Sequence, residues 1–109
     1  MLRSLLIIVV LMSASMAQGA DLVVNAQIVR IASSSNGYAD DFFVEISGGS
    51  GPCADGSIIF PRSAAPTEAF FSRMFAIALT AYATEHTNVR VYSPSSNVCS
   101  AAKFIQIAN

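Results

Sequence analysis

Apolar and polar side chains alternate over two long stretches of the chain, residues 20–33 and residues 38–47. This period of two, together with many β-branched residues, predicts two β-strands. Asn36 and Gly37 lie between them and form a dipeptide that strongly favours a two-residue hairpin turn. We therefore expect the two strands to pair antiparallel.

Three shorter apolar segments predict further strands. Residues 57–60 are stopped by Pro61, and residues 88–92 and 102–107 follow later in the chain. The glycine-rich run at residues 48–51 predicts a turn. It lacks the Lys-Ser/Thr pair of a phosphate-binding loop and opens no helix.

One helix is predicted between the third and fourth strands. Pro66 and Glu68 mark its start, since proline fits the first turn and an acidic side chain favours the positive end of the helix dipole. Residues 67–84 contain no helix breaker. The apolar side chains cover about 200° of the circumference, wider than the roughly 100° stripe that one core requires. They are Phe70, Phe71, Met74, Phe75, Ile77, Ala78, Leu79, Ala81 and Tyr82.

The other side of this helix carries mostly small residues and few charges. Two interpretations stay open: loops of the same domain cover this side, or it meets a second copy of the chain. The candidate oligomer interface consists of Ala69, Arg73, Ala76, Thr80 and Ala83.

The element order β-β-β-α-β-β predicts a mainly β domain with one helix. This order matches the oligonucleotide/oligosaccharide-binding (OB) fold, a five-stranded Greek-key barrel with its helix after the third strand. The competing architecture is an open sheet with the helix packed across it. Residues 20–109 are expected to form this single domain.

Residues 1–19 predict a secretory signal peptide. Arg3 supplies a positive charge, an unbroken apolar run follows at residues 5–12, and small residues then allow cleavage after Ala17 or Gly19. The apolar run is far shorter than the roughly 20 residues that cross a bilayer, which disfavours a membrane anchor. We expect an exported protein, periplasmic or secreted, with no membrane span after cleavage.

Cys53 and Cys99 are the two cysteines, and both follow the predicted signal peptide. In an exported chain, two cysteines predict one disulfide. The alternative is a metal site, but the two thiols lack metal-ligand spacing and have only His86 to join them. We therefore expect no metal and no cofactor.

Charge and reactive groups narrow the functional classes. Six basic and seven acidic residues give a net charge of −1, and no basic stripe is present for nucleic acid. A low number of charged residues is typical of a domain that buries part of its surface against copies of itself or a partner. His86 is the one histidine, and it lies at the predicted helix end, where a cation favours the dipole. The sequence therefore predicts a protein that is not an enzyme.

Residues 53–107 resemble the receptor-binding B subunits of the subtilase-cytotoxin type. The likeness lies in a cysteine near the third strand, the phenylalanine-rich helix AFFSRMFAIALTAYA, the VRVY stretch at residues 89–92 and the downstream Cys99. The resemblance implies an exported OB-type barrel that assembles as a pentamer and binds sugars. Ser93 follows the VRVY stretch, where that family has an aromatic residue of the sugar pocket.

These features predict a non-catalytic binding module, oligomeric and recognising a glycan or a protein. The alternative is a small structural or inhibitory envelope protein that acts through protein contacts alone. A sugar site would join exposed aromatic rings, on which sugars stack, with polar groups for the hydroxyls. The candidate ligand-binding residues are Tyr38, Asp40, Asp41, Phe43, Tyr92 and Asn97.

Asp40 and Asp41 are adjacent on the predicted second strand. Successive strand side chains point to opposite faces, so we expect these two carboxylates to point apart and to solvate the hairpin end. A shared metal ion is therefore not expected between them.

Overall fold

A computed structural model gives the fold and describes residues 19–34, 40–94 and 97–109. The predicted signal peptide up to residue 18, the Asn36-Gly37 turn and Tyr38 lie outside these residues. The elements in chain order are β1 (Ala20–Ser34), β2 (Asp41–Ser47), β3 (Ser57–Phe60), a 3-10 helix (Arg62–Ala64), α1 (Glu68–Ala83), β4 (Val89–Ser93) and β5 (Phe104–Ile107). The 3-10 helix is absent from the predicted order.

The five strands form one antiparallel sheet in the spatial order β3-β2-β1-β4-β5. The central strand β1 changes partner along its length. Its residues 27–34 pair with β2, and residues 20–26 pair with β4. Irregularities in both ladders and a φ of 54° at Asn25 allow this change, because bulges bend and twist a strand. The predicted mainly β fold with one helix is therefore confirmed.

Among the described residues, no continuous ladder joins the two outer strands, β3 and β5. Two backbone hydrogen bonds nevertheless attach β3 to the segment before β5. The Ile59 N–H donates to the Cys99 carbonyl at 2.9 Å, and the Ala102 N–H donates to the Ile59 carbonyl at 3.1 Å. The disulfide between Cys53 and Cys99 anchors the same segment and confirms the predicted pairing. No strand ladder thus closes the described sheet, and the bridge at Ile59 connects its two outer regions.

The glycine-rich loop after β2 packs along β1. Val24 and Ser50 exchange both backbone hydrogen bonds, at 3.0 and 3.1 Å, and the Cys53 N–H donates to the Leu22 carbonyl at 2.9 Å. This approach requires glycine at position 51, where φ is 124° and a Cβ would lie 2.6 Å from the Leu22 carbonyl oxygen. The predicted turn therefore also positions Cys53 for the disulfide.

Helix α1 begins after Thr67, whose hydroxyl oxygen accepts a hydrogen bond from the Phe70 N–H at 3.1 Å and caps the helix. Pro66 precedes the cap, so its predicted place in the first turn is wrong. Leu79 and Tyr82 are 44% and 41% exposed, and the buried arc is therefore narrower than the sequence pattern predicts. The helix packs on β1 and β5. Its buried side chains are Met74, Ala78 and Ala81.

The core lies between the inner face of the sheet and α1. Phe42 on β2 is the centre of an aromatic cluster. Its ring stacks on Phe60 with centroids 4.5 Å apart, and it contacts the rings of Phe71 and Phe75 of α1 at 5.4 and 5.1 Å. These ring contacts fix α1 over the start of β2, which is where the cleft described next opens.

Candidate ligand-binding cleft

A cleft of about 250 Å³ opens between the start of β2 and α1. It joins two carboxylates and two hydroxyl groups to three aromatic rings. The residues that line it are Ser33, Asp40, Asp41, Phe42, Phe71, Ser72 and Phe75.

Both aspartates line this one cleft, although their adjacency in the sequence predicts side chains that point apart. The strand β2 begins at Asp41, so Asp40 precedes it and is not bound by the alternation of strand side chains. Asp41 is half-buried, and its Oδ1 accepts a hydrogen bond from the Arg62 N–H at 3.1 Å. A carboxylate has about four lone-pair sites, so most of its acceptor capacity is left for a ligand.

The aromatic part of the cleft comes from α1 and the core. Phe42 is buried, whereas Phe71 and Phe75 are half-buried and keep part of each ring accessible. The Arg62 guanidinium lies 5.8 Å from the centroid of Phe71 and donates to the Ala65 carbonyl at 3.3 Å. The 3-10 helix therefore holds both the Asp41 carboxylate and one edge of the aromatic wall.

This combination suits a polyhydroxylated ring. Hydroxyl groups of such a ligand donate to the carboxylates in charge-assisted hydrogen bonds, and the serine hydroxyls can both donate and accept. The apolar face of the ring packs against phenylalanine. Among the described residues, no group of three or more His, Cys, Asp or Glu could hold a metal ion.

Three other candidate residues lie elsewhere. Phe43 is half-buried on β2 with the Arg30 guanidinium 5.6 Å from its ring centroid. Tyr92 is half-buried on β4 with the Arg90 guanidinium at 5.2 Å. Asn97 is exposed ahead of β5. Of the candidate ligand-binding residues that the structure describes, only Asp40 and Asp41 line this cleft.

The distance between Tyr92 and the cleft follows from the length of β1. Tyr92 pairs with Asp21, and Asp41 pairs with Ser34 at the other end of the same strand. At a rise of roughly 3.3 Å per residue, the two pairs are separated by up to about 40 Å of strand. Tyr92 and the cleft therefore lie at opposite ends of β1.

A comparison with protein-family models matches the whole chain, residues 1–109. The chain belongs to the DUF5992 family. This family is described as one of unknown function. No curated protein and no solved structure matches the chain. In the part of this DUF5992 chain that the structure describes, no helix is long and apolar enough to cross a membrane. Its disulfide fits a non-reducing environment.

Five lining residues of the DUF5992 cleft are not among the sequence-predicted site residues. Phe71 and Phe75 belong to the apolar arc of the predicted helix, and Ser33 and Phe42 belong to the first two predicted strands. No period or motif marks Ser72. These side chains become part of a site only because α1 packs across the start of β2.

The five residues of the candidate oligomer interface form an exposed side of α1 in this DUF5992 chain. The described loops therefore leave this side uncovered. Ala76 lies at the middle of the exposed side, and the Thr80 hydroxyl donates back to the Ala76 carbonyl at 2.8 Å. The side consists of Ala69, Arg73, Ala76, Thr80 and Ala83.

Histidine chemistry is not part of the cleft. His86 is half-buried after the end of α1, where its Nε2 contacts the Ala108 carbonyl oxygen. Its backbone N–H donates to the Ala81 carbonyl at 3.0 Å. His86 thus attaches the end of the described chain to the end of α1.

Proposed function

We propose that the mature protein is an exported, non-catalytic binding module that recognises a carbohydrate in the cleft between β2 and α1. The observation that carries the proposal is that Asp40 and Asp41 share one cleft with the half-buried rings of Phe71 and Phe75. Sugar recognition requires polar partners for hydroxyl groups beside an aromatic surface for the ring. The non-catalytic part rests on the sequence, which has one histidine and no recognisable catalytic motif.

Export is the part of the proposal that the N-terminal pattern and the disulfide support. The chain starts with a basic residue, an apolar run and small residues, in the order of a secretory signal peptide. The Cys53–Cys99 disulfide is a bond that persists in oxidising compartments. We propose the periplasm or the exterior of the cell as the place of action.

We further propose that the sheet is an OB-type barrel related to the subtilase-cytotoxin-type B subunits. Three observations support this part of the proposal. The helix follows β3, β1 pairs with both β2 and β4, and Ile59 on β3 bonds to the segment before β5. In a closed barrel the outer strands meet along such a line.

Substitution of a cleft carboxylate tests the carbohydrate proposal. We expect the mature protein to bind a defined set of glycans on an array, and Asp40→Asn to weaken binding of the best one by about tenfold, because a hydrogen bond to a charged acceptor is replaced by a neutral one. Isothermal titration calorimetry of that glycan measures the change. Asp40 is exposed, so the free energy of unfolding should stay within about 0.5 kcal/mol of the wild type.

Glu85→Gln is the matched control for this substitution. It removes the same charge from an exposed residue that follows α1 at its other end, and glycan affinity should not change. An array without specific binding, or equal affinities of Asp40→Asn and the wild type, would contradict the carbohydrate proposal.

The alternative function is action through protein contacts alone, and the exposed side of α1 favours it. Apart from Arg73 this side is uncharged, and Leu79 and Tyr82 beside it are also exposed. A helix side in contact with water is normally polar. In this alternative, copies of the chain associate through α1 and the cleft binds no ligand.

Light scattering tests the association. We expect the wild-type protein to have a mass above that of the monomer and Ala76→Glu to weaken the association more than about 100-fold, because two like charges would meet on an apolar helix side. Ser100→Glu adds the same charge to an exposed loop residue and should leave the mass unchanged. A monomeric wild type at all concentrations would rule out association through this side.

A further inference from the structure

A second recess lies on the opposite flank of α1 and runs along β5. It consists of two cavities of about 180 and 410 Å³ that share Phe70. At 100° per residue, the helix positions that line it are about 150° away from those that line the carbohydrate cleft. The recess is therefore separate from the carbohydrate cleft, and Arg73 is the residue that it shares with the candidate oligomer interface.

The smaller cavity is almost entirely apolar. Met74 is buried at its base, and Phe104 on β5 is 38% exposed at its rim. Methionine adapts its shape to flexible apolar ligands. The apolar side chains that line this cavity are Phe70, Met74, Ile77, Phe104 and Ile105.

Two cations lie beside this apolar surface. Arg73 lines the smaller cavity, with its guanidinium 6.0 Å from the centroid of Phe70, and Lys103 lines the larger one. Among the described residues that line the two cavities, none is acidic. The ion pairs of the described chain use other arginines, Arg30 and Arg90. Arg73 and Lys103 thus give the recess a positive charge that no described carboxylate neutralises.

We propose that this recess binds a free amphiphile with one alkyl chain and an anionic head, such as a long-chain carboxylate. The carboxylate would accept hydrogen bonds from Arg73 and Lys103, and the alkyl chain would lie against Met74 and Phe104. The larger cavity, of about 410 Å³, falls by itself in the range of roughly 300–1,000 Å³ that small-molecule sites occupy. A neutral sugar would leave the cations unused, and a purely apolar ligand would bury them without a partner.

This proposal is independent of carbohydrate binding, because the recess uses different residues and binds an anion, which the carbohydrate cleft disfavours. The cleft on the other flank carries two carboxylates and repels an anion. The two proposals can therefore fail separately.

Calorimetry with dodecanoate below its micelle concentration tests the recess. We expect one molecule to bind per chain, dodecanol to bind at least tenfold more weakly, and Arg73→Gln and Lys103→Gln each to weaken dodecanoate binding about fivefold. The double substitution should weaken it about twentyfold or more. Absence of dodecanoate binding, or equal binding of dodecanol, would overturn the proposal.

Arg30→Gln is the matched control, since it removes one positive charge that lies outside the recess and is paired with Glu45. It should leave dodecanoate affinity unchanged. If Arg30→Gln weakens dodecanoate binding as much as Arg73→Gln or Lys103→Gln does, net charge alone explains the effect and the proposal is overturned. Light scattering and thermal unfolding of each variant check mass and folding. Co-sedimentation with phosphatidylglycerol vesicles measures affinity for a membrane. If this affinity exceeds the affinity for dodecanoate, a membrane surface is the occupant and the proposal of a free ligand is overturned.

Discussion

Replacement of both cysteines, Cys53→Ala with Cys99→Ala, is expected to lower the free energy of unfolding by about 4 kcal/mol. The two cysteines are 46 residues apart, and opening a loop of that length restores much conformational entropy to the unfolded chain. The total stability of a domain is typically only about 5–15 kcal/mol. Urea unfolding followed by circular dichroism measures the loss.

Amide hydrogen exchange locates the effect of the missing disulfide. Ile59 and Ala102 carry the amides that bridge β3 to the segment before β5, so both should exchange faster in the double variant, whereas amides between β1 and β4 should lose less protection. Ser100→Ala, an exposed change next to Cys99, is the control and should change stability by less than about 0.5 kcal/mol. A loss below about 1 kcal/mol in the double variant would contradict the role assigned to the disulfide.

Phe42→Ala is expected to lower the free energy of unfolding by about 3–5 kcal/mol, because it removes the ring at the centre of the aromatic cluster and leaves a cavity. Phe42 is 2% exposed and contacts Phe60, Phe71 and Phe75. Chemical denaturation monitored by far-ultraviolet circular dichroism gives the difference. The same change should also loosen the cleft, since Phe42 lines its base.

Phe43→Ala is the matched control for Phe42→Ala. The two residues are neighbours on β2 but lie on opposite faces, and Phe43 is half-buried under Arg30. We expect Phe43→Ala to lower the free energy of unfolding by about 1–2 kcal/mol. The half-buried Phe43 ring buries less apolar surface than Phe42, and its removal leaves no closed cavity. Equal losses of stability in the two variants would contradict the central place assigned to Phe42 in the core.

The position of α1 connects the two proposed sites. The cleft on its flank near β2 contains two carboxylates, and the recess on its flank near β5 contains two cations. Both recesses depend on half-buried aromatic side chains at successive positions, Phe70 and Phe71. A change that shifts α1 on the sheet should therefore alter both recesses together, whereas a charge change at one rim should alter only one.

The sequence was a good guide to features that depend on near neighbours. Alternation in β2 predicts that Phe42, Val44 and Ile46 share one face, and all three are buried. The helix is predicted within about one residue at its start, and the pair of cysteines predicts the disulfide. The cleft was predicted only in part, as two aspartates whose side chains were expected to point apart.

Sequence by itself determined which side chains share a face within each element, because the periods of strand and helix follow from local backbone geometry. Tertiary structure alone decided which faces of distant elements meet. It brings Asp40 and Asp41 beside Phe75, places Arg73 near β5, leaves Leu79 and Tyr82 exposed and bridges the sheet at Ile59. These outcomes depend on how α1 packs on the sheet, and no local period encodes that packing.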